Sequence, residues 1–225
     1  MFITISDLLN RSALDRIADL IGGLEWRDGR KTAGRTARKV KRNEQADLSS
    51  PAGKTLSDLV QKAITDDPVL QAAARPRVFS NLLVSRMGID GSYGPHVDNA
   101  IMRKGGAAIR TDLSFTIFLT PPDAYDGGEL ILHDAGVTQS IKAEAGDLVL
   151  YPSTFVHEVA PVTSGERFVC VGWIESLIAD AQHRALLFDL ENLRASLRTT
   201  LPGQSAELIT LDKTIANLLR LWAKP

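Results

Sequence analysis

The sequence has a single cysteine, Cys170, and only four histidines. One thiol excludes an intramolecular disulfide and any metal site made of cysteine alone, and it suits a reducing cytoplasm. No apolar run reaches the ~18 residues of a membrane span. The first ten residues lack the basic flank and long apolar stretch of a signal peptide. Neither sign of charge is in excess: 26 Lys and Arg against 27 Asp and Glu leave a net charge of −1. The chain therefore has no global pull toward nucleic acid, and nothing in it points to a membrane. Long Gly/Ser/Pro linkers and internal repeats are also missing. With 44% apolar and 24% charged residues, the 225-residue chain is globular in composition. At this size it can bury about 70–75% of its unfolded surface without staples.

The cations are unevenly spread. Eight of them fall in residues 27–42: Arg27, Arg30, Lys31, Arg35, Arg38, Lys39, Lys41 and Arg42, opposed only by Asp28. Either this is a solvated surface, or it borders a site and attracts an anionic substrate or partner. Charge reversal at Arg35, Arg38 and Lys39 separates the two: under the second reading, turnover and its salt dependence change.

Three segments follow from the pattern. Residues 1–75 read as a short strand (Phe2, Ile3, Ile5), a helix ended by Gly22-Gly23, the basic segment, and a helix through Leu56, Val60 and Ile64 that stops before Pro68. They are expected to pack on the core. Residues 76–177 turn β-rich, with runs at 78–84, 113–119, 129–133, 147–151, 158–162 and 168–174 between glycine and proline breakers. Many short strands with regular turns predict a sandwich or barrel. Residues 178–225 predict a helical hairpin split by Pro202-Gly203, with stripes at Leu186, Leu190, Leu193, Leu197 and at Leu208, Leu211, Ile215, Leu218, Trp222. Core or dimer packing accounts for such stripes, which leaves a homodimer open.

Chemistry concentrates in the β-rich segment. His96 and Asp98 are two apart, so in extended chain both point the same way. His157 lies inside the same block. Two histidines and one carboxylate on one face form the facial triad of non-haem iron sites, which leaves coordination positions open. Arg167, ten residues after His157, is placed to face the same cavity and clamp a carboxylate through two parallel bonds. Its bland alternative is a strand-end charge paired with Glu166. Other chemistries fit worse. His157-Glu158 begins like a zinc-protease motif, but Pro161 stands where the second histidine would be and argues against a helix. No Gly-x-Ser-x-Gly and no Walker-type phosphate loop occurs.

These residues resemble a known family. Tyr93-Gly94-Pro95-His96-Val97-Asp98-Asn99-Ala100 is similar to the metal-binding segment of the PKHD-type hydroxylases, bacterial relatives of prolyl 4-hydroxylase. Residues 110–119, the turn Tyr125-Asp126-Gly127-Gly128-Glu129, the run 145–153 before His157, and residues 161–167 and 173–176 resemble further blocks of it. Trp26, Asp28-Gly29, Thr32-Ala33-Gly34, Val40-Lys41, Asn43 and Gln45 resemble its N-terminal signature, and the last helices its C-terminal extension. Arg42 departs from the asparagine common there. The resemblance implies an α+β fold with a mainly β core, a double-stranded β-helix (jelly roll) flanked by N-terminal helices and the C-terminal hairpin. It implies Fe(II) held by His96, Asp98 and His157, and 2-oxoglutarate held by Arg167. It implies oxidative decarboxylation by O2 to succinate and carbon dioxide, with hydroxylation of a C–H bond in an unidentified small-molecule or peptide substrate. L-ascorbate binding and a link to iron homeostasis also come with the family. Asp98 favours hydroxylation over halogenation, since a halide needs that ligand position.

Around these, Tyr93 is a candidate to contact a ligand or the co-substrate, and Asn99 to orient Asp98. Arg110 and Asp112 are candidates on the substrate side, although Asp112 could instead oppose Arg110. Trp173 and Cys170 read as core. His133 and His183 read as plain surface or core residues. Two alternatives stay open: a non-catalytic iron-sensing module on the same jelly roll, and a cupin-like metalloenzyme without 2-oxoglutarate. Neither needs a dicarboxylate clamp at Arg167.

Overall fold

The computed structural model describes residues 2–32, 34 and 37–224. Arg35 of the basic segment and Ala33 of the N-terminal motif lie outside them. In chain order the elements are β1 (Ile3–Ile5), α1 (Arg11–Ile21), β2 (Trp26–Asp28), β3 (Lys41–Arg42), β4 (Glu44–Ala46), α2 (Pro51–Asp66) and α3 (Pro68–Ala74). Then come β5 (Pro76–Phe79), β6 (Leu83–Met87), β7 (Ser92–His96), β8 (Ile101–Lys104), β9 (Ala107–Arg110), β10 (Leu113–Phe118), β11 (Tyr125–Gly127) and β12 (Leu130–Asp134). The chain ends with β13 (Val137–Ile141), β14 (Leu148–Pro152), β15 (Val156–Val159), β16 (Val162–Gly165), β17 (Arg167–Ser176), α4 (Ala181–Leu197) and α5 (Ala206–Trp222).

The strands form two principal antiparallel sheets. The major one has the order β1-β14-β10-β17-β6-β4-β2, with β5 also on β17, and the minor one the order β13-β12-β15-β7-β3. Two-stranded ribbons, β8-β9 and β11-β16, complete the roll. This is the expected mainly β jelly roll with flanking helices.

Each sheet face has its own chemistry because side chains alternate along a strand. On β10, Leu113, Phe115 and Ile117 join the apolar cluster beneath the helices, with Leu56, Val60 and Ile64 of α2, Ile17 of α1 and Leu70 of α3. Cys170 of β17 packs there too, its thiol pushed up to about 12 by burial. Ser114 and Thr116 point the other way and line the space between the sheets. The closed end of that space is a second cluster of Phe118, Leu130, Leu132, Val149, Tyr151 and Val169.

Three details differ from the sequence reading. The run at 78–84 is two strands. Trp173 donates its amide to Ser80 Oγ and accepts from the Ser80 amide, so β17 changes partner from β6 to β5 at this point. The run at 158–162 is also broken: Pro161 has no N–H to continue β15, and β16 then pairs with β11. Beyond the expected strand β1, the N-terminal 75 residues also supply β2 and β4 to the major sheet and β3 to the minor one.

The C-terminal hairpin forms as expected, with a shifted stripe. Leu187 and Leu190, with Ile178, Leu211, Ile215, Leu218 and Trp222, make its interior, while Leu186 and Leu193 are exposed. Buried Arg184 donates to the carbonyls of Ile178 and Ala179, and Arg75 pairs with Glu191, so polar contacts tie the hairpin to the core. His183 stacks on Trp222 at 4.0 Å, and His133 bonds Glu158 and Thr138 at the surface. No helix among the described residues is long and apolar enough to cross a membrane.

Candidate active site

A cavity of about 100 Å³ opens between the two sheets. It contains the triad predicted from spacing. His96 ends β7, and Asp98 follows in the loop. His157 lies on β15 directly opposite His96, where the pairing register slips just beyond. One ligand atom from each of the three lies within 4.8 Å of the other two, the geometry of a group that can hold one metal ion.

Both rings have a fixed orientation. His96 Nδ1 is 2.9 Å from the Gly94 carbonyl, and His157 Nδ1 is 3.1 Å from the Phe155 carbonyl. A carbonyl only accepts, so each Nδ1 carries a proton, and each Nε2 is the nitrogen left to face the cavity. His157 Nε2 faces Asp98 Oδ2 at 3.7 Å. Burial and the neighbouring His157 push the His96 imidazole down to about 4. A neutral ring is the form a metal requires.

The partner that orients Asp98 is not Asn99. Ser114 Oγ, on β10, donates to Asp98 Oδ2 at 2.6 Å and lies 2.8 Å from Ser153 Oγ. Since the carboxylate takes Ser114's proton, Ser153 donates to Ser114. Asn99 lines the cavity nearby, and its carbonyl accepts from Thr111 Oγ1. Tyr93 stacks on His96, centroids 3.6 Å apart and 17° between planes, and Tyr151 meets His157 edge-on. Desolvation and the Asp98 charge raise both phenols.

Arg167 opens β17 and lines the same cavity while only 2% exposed. It does not pair with Glu166. No carboxylate lies within 4.0 Å of its guanidinium among the described residues, and neither its Nε nor the Tyr125 hydroxyl has a hydrogen-bond partner. Phe118 lies beneath it at 5.3 Å. Burial pushes the guanidinium down from its ordinary value, and Tyr125, Tyr151 and Glu129 partly offset that. Gly128 makes room: at φ +68° it favours glycine, and a Cβ there would stand 2.9 Å from Arg167 Cδ.

Arg110 and Asp112 are not brought to the cavity. They form a two-bond ion pair with each other, and Asp112 also accepts the Ser176 amide. Trp173 lines the cavity with its indole N–H buried and unpartnered. Within the basic segment, Arg30 pairs with Asp28 and Arg27 with Asp47, whereas Lys41 turns inward. Thr32, Gly34, Ala37 and Lys41 form one wall, so the segment does border the site.

The residues fit a ferrous ion with a dicarboxylate. The donor set is two imidazoles and one carboxylate, and the buried guanidinium lacks a carboxylate counter-charge within 4.0 Å among the described residues. Comparison with known proteins agrees. A family model described as the 2OG-Fe(II) oxygenase superfamily matches residues 82–175, and one for the PKHD-type hydroxylase C-terminal domain matches 180–224. Among solved structures, a prolyl hydroxylase of Trichoplax adhaerens in complex with a peptide fragment shares the fold, with TM-score 0.56, 20% identity, and 82% of this chain and 86% of that chain covered. A 2OG-Fe(II) oxygenase family oxidoreductase of Burkholderia pseudomallei does so at TM-score 0.55 and 18% identity, covering 77% of this chain and 84% of that one. The PKHD-type hydroxylase of Hyphomonas neptunium is 52% identical over 98% of this chain and 99% of its own length. That of Synechococcus elongatus is 46% identical over the whole of both. The chain thus belongs to the PKHD-type hydroxylase family, within the 2OG-Fe(II) oxygenases.

Proposed function

We propose that His96, Asp98 and His157 hold Fe(II), that Arg167 binds the far carboxylate of 2-oxoglutarate, and that the cavity hydroxylates a C–H bond of a small-molecule or peptide substrate. Bound iron supplies the oxidation chemistry, coupled to conversion of 2-oxoglutarate and O2 to succinate and carbon dioxide. The chain's own residues bind and orient. The Nδ1–H bonds to Gly94 and Phe155 aim both Nε2 lone pairs at one point, and Ser114 holds Asp98 toward it. The apolar end of the cavity around Phe118, Leu130 and Val169 excludes water from the co-substrate.

One observation carries this reading: a nearly fully buried guanidinium without a carboxylate partner shares its cavity with a His-Asp-His triad. An iron-sensing module or a cupin-like enzyme has no use for it. Anaerobic titration with Fe(II) and then 2-oxoglutarate tests it. A visible charge-transfer band is expected, lost in His96→Ala; a wild-type protein that binds iron but gives no band with 2-oxoglutarate overturns the reading. Ascorbate belongs here as an external reductant. Its addition is expected to prolong substrate-free succinate formation without changing 2-oxoglutarate affinity.

A further inference from the structure

The cavity contains a second cation with no assigned duty. Lys41 is 6% exposed, and among the described residues its ammonium bonds only Thr32 Oγ1, at 3.2 Å. No carboxylate lies within 4.0 Å of it among the described residues, although the ring of Tyr93 is beneath it at 5.0 Å. Tyr93 in turn covers His96, so the amine is one aromatic ring removed from the triad.

A neighbouring donor accompanies it. Thr32 Oγ1 accepts from Lys41 and lies 2.7 Å from Gln45 Oε1 and 3.1 Å from the Gly29 carbonyl, the two acceptors that share its one proton. The Gln45 NH2 is used by no hydrogen bond among the described residues. Gln45 is also buried and lines the cavity. The backbone explains the arrangement. β3 pairs with the Tyr93 strand in the minor sheet, and β4 pairs with β6 in the major one. The segment crosses the gap between the sheets as a wall, and alternation turns residues 41 and 45 inward together.

The two cations sit in different surroundings. Arg167 is acted on by Tyr125, Tyr151 and Glu129, whereas the charges acting on Lys41 are Asp98 and Asp28. Desolvation drags the Lys41 amine down to about 8 despite those carboxylates. A dicarboxylate co-substrate is fully accounted for by Arg167 at one end and the metal at the other. Lys41 is surplus to it.

We propose that Lys41 and Gln45, joined through Thr32, are the seat of a carboxylate on the substrate that is hydroxylated. The proposal rests on the hydroxylase reading and names the chemistry of its substrate: an acid whose carboxylate docks on β3 and β4, with the carbons beside it toward His96 and Asp98. The indole N–H of Trp173, buried and unpartnered in the same cavity, offers a further donor to such a substrate.

The test uses the full chain loaded with Zn(II), a diamagnetic stand-in, and saturated with 2-oxoglutarate so that Arg167 is filled. The Gln45 side-chain amide is followed by 1H–15N NMR while N-acetylglycine is added, or an acetylated and amidated Ala-Asp-Ala peptide. The first carries a free carboxylate and the second one borne by a peptide, and the tighter binder tells the source. A saturable shift with either acid, tenfold or more weaker in Lys41→Met and retained in Lys41→Arg, is expected. N-acetylglycinamide, which lacks the charge, is expected not to bind. Should Lys41→Met fold poorly, Gln45→Glu supplies an internal counter-ion and, followed through the Trp173 indole N–H because the Gln45 amide is gone, is expected to block the acids equally. Equal binding of the neutral amide, or no shift with either acid, overturns the proposal. So does a Lys41→Met variant that loses 2-oxoglutarate affinity by as much as Arg167→Met does, since the lysine would then serve the co-substrate. The Fe(II)·2-oxoglutarate charge-transfer band reports separately on the hydroxylase reading, so failure of one is distinguishable from failure of the other.

Discussion

The two faces of the major sheet are built from the same strands and do opposite things. The outer face carries Leu113, Phe115, Ile117 and Cys170 against three helices, and the fully buried Ser176 at the end of β17 is satisfied by the Ala74 carbonyl. The inner face carries Ser85, Ser114, Thr116, Arg167 and Gln45, all buried and polar. Burial is nearly equal on both sides, so burial alone does not distinguish a core from a site. What separates them is whether the buried group is satisfied. The outer side chains are complete as packed; on the inner face, Arg167 has no carboxylate beside it and an Nε without a hydrogen-bond partner among the described residues.

Substitutions on the two faces therefore fail differently. The largest effect is expected at Asp98→Ala. Two imidazoles remain, the charge that balances the metal is gone, and substrate-free succinate formation should fall to background. Thermal unfolding of the metal-free protein should stay near wild type. A variant that keeps the charge-transfer band would remove Asp98 from the ligand set.

Ile117→Ala, on the outer face of β10 and away from the cavity lining, should cost about 2–5 kcal/mol in urea unfolding. Per folded molecule, 2-oxoglutarate affinity should not move. Arg167→Met reverses that pattern. Truncating one side of a buried charge contact costs about 2–5 kcal/mol of binding, so 2-oxoglutarate should weaken by at least tens of fold. The unloaded protein should be as stable as wild type or more so, because an unpaired buried charge has been removed. A large stability loss would make Arg167 a structural residue and blur the contrast between faces.

How much of this was legible in the sequence follows from the same contrast. Ligand residues carry a spacing: His96 and Asp98 are i and i+2, and His157 and Arg167 each lie near the start of a strand. The apolar alternation of β10 and β17 is strong enough to place both strands. Ser114 has no such signal. A serine in a strand looks like any polar position, and it meets Asp98 only because β10 lies across from the loop after β7. Lys41 was visible as one cation among eight and as part of the N-terminal signature, with no role attached; its inward turn depends on β3 and β4, two- and three-residue strands too short and polar to show a period. Arg110 and Asp112 had the residue types of a site, yet they pair with each other on the far side of β10's start.

Ser114→Ala gives the smallest and sharpest test of the two-face contrast. The hydroxyl links the inner faces of β10 and β14 to a ligand, receiving a bond from Ser153 and giving one to Asp98 Oδ2. Without it Asp98 keeps its charge and loses its aim. Such outer-shell partners typically govern metal affinity by about 10–100-fold, and iron affinity is expected to fall within that range. Stability should drop by only about 1 kcal/mol, the net worth of an ordinary hydrogen bond. Iron titration and urea unfolding of one variant read both quantities. Unchanged iron affinity with a collapsed unfolding midpoint would mean that the serine holds the sheet rather than the carboxylate, and that the inner face of β10 is a core after all.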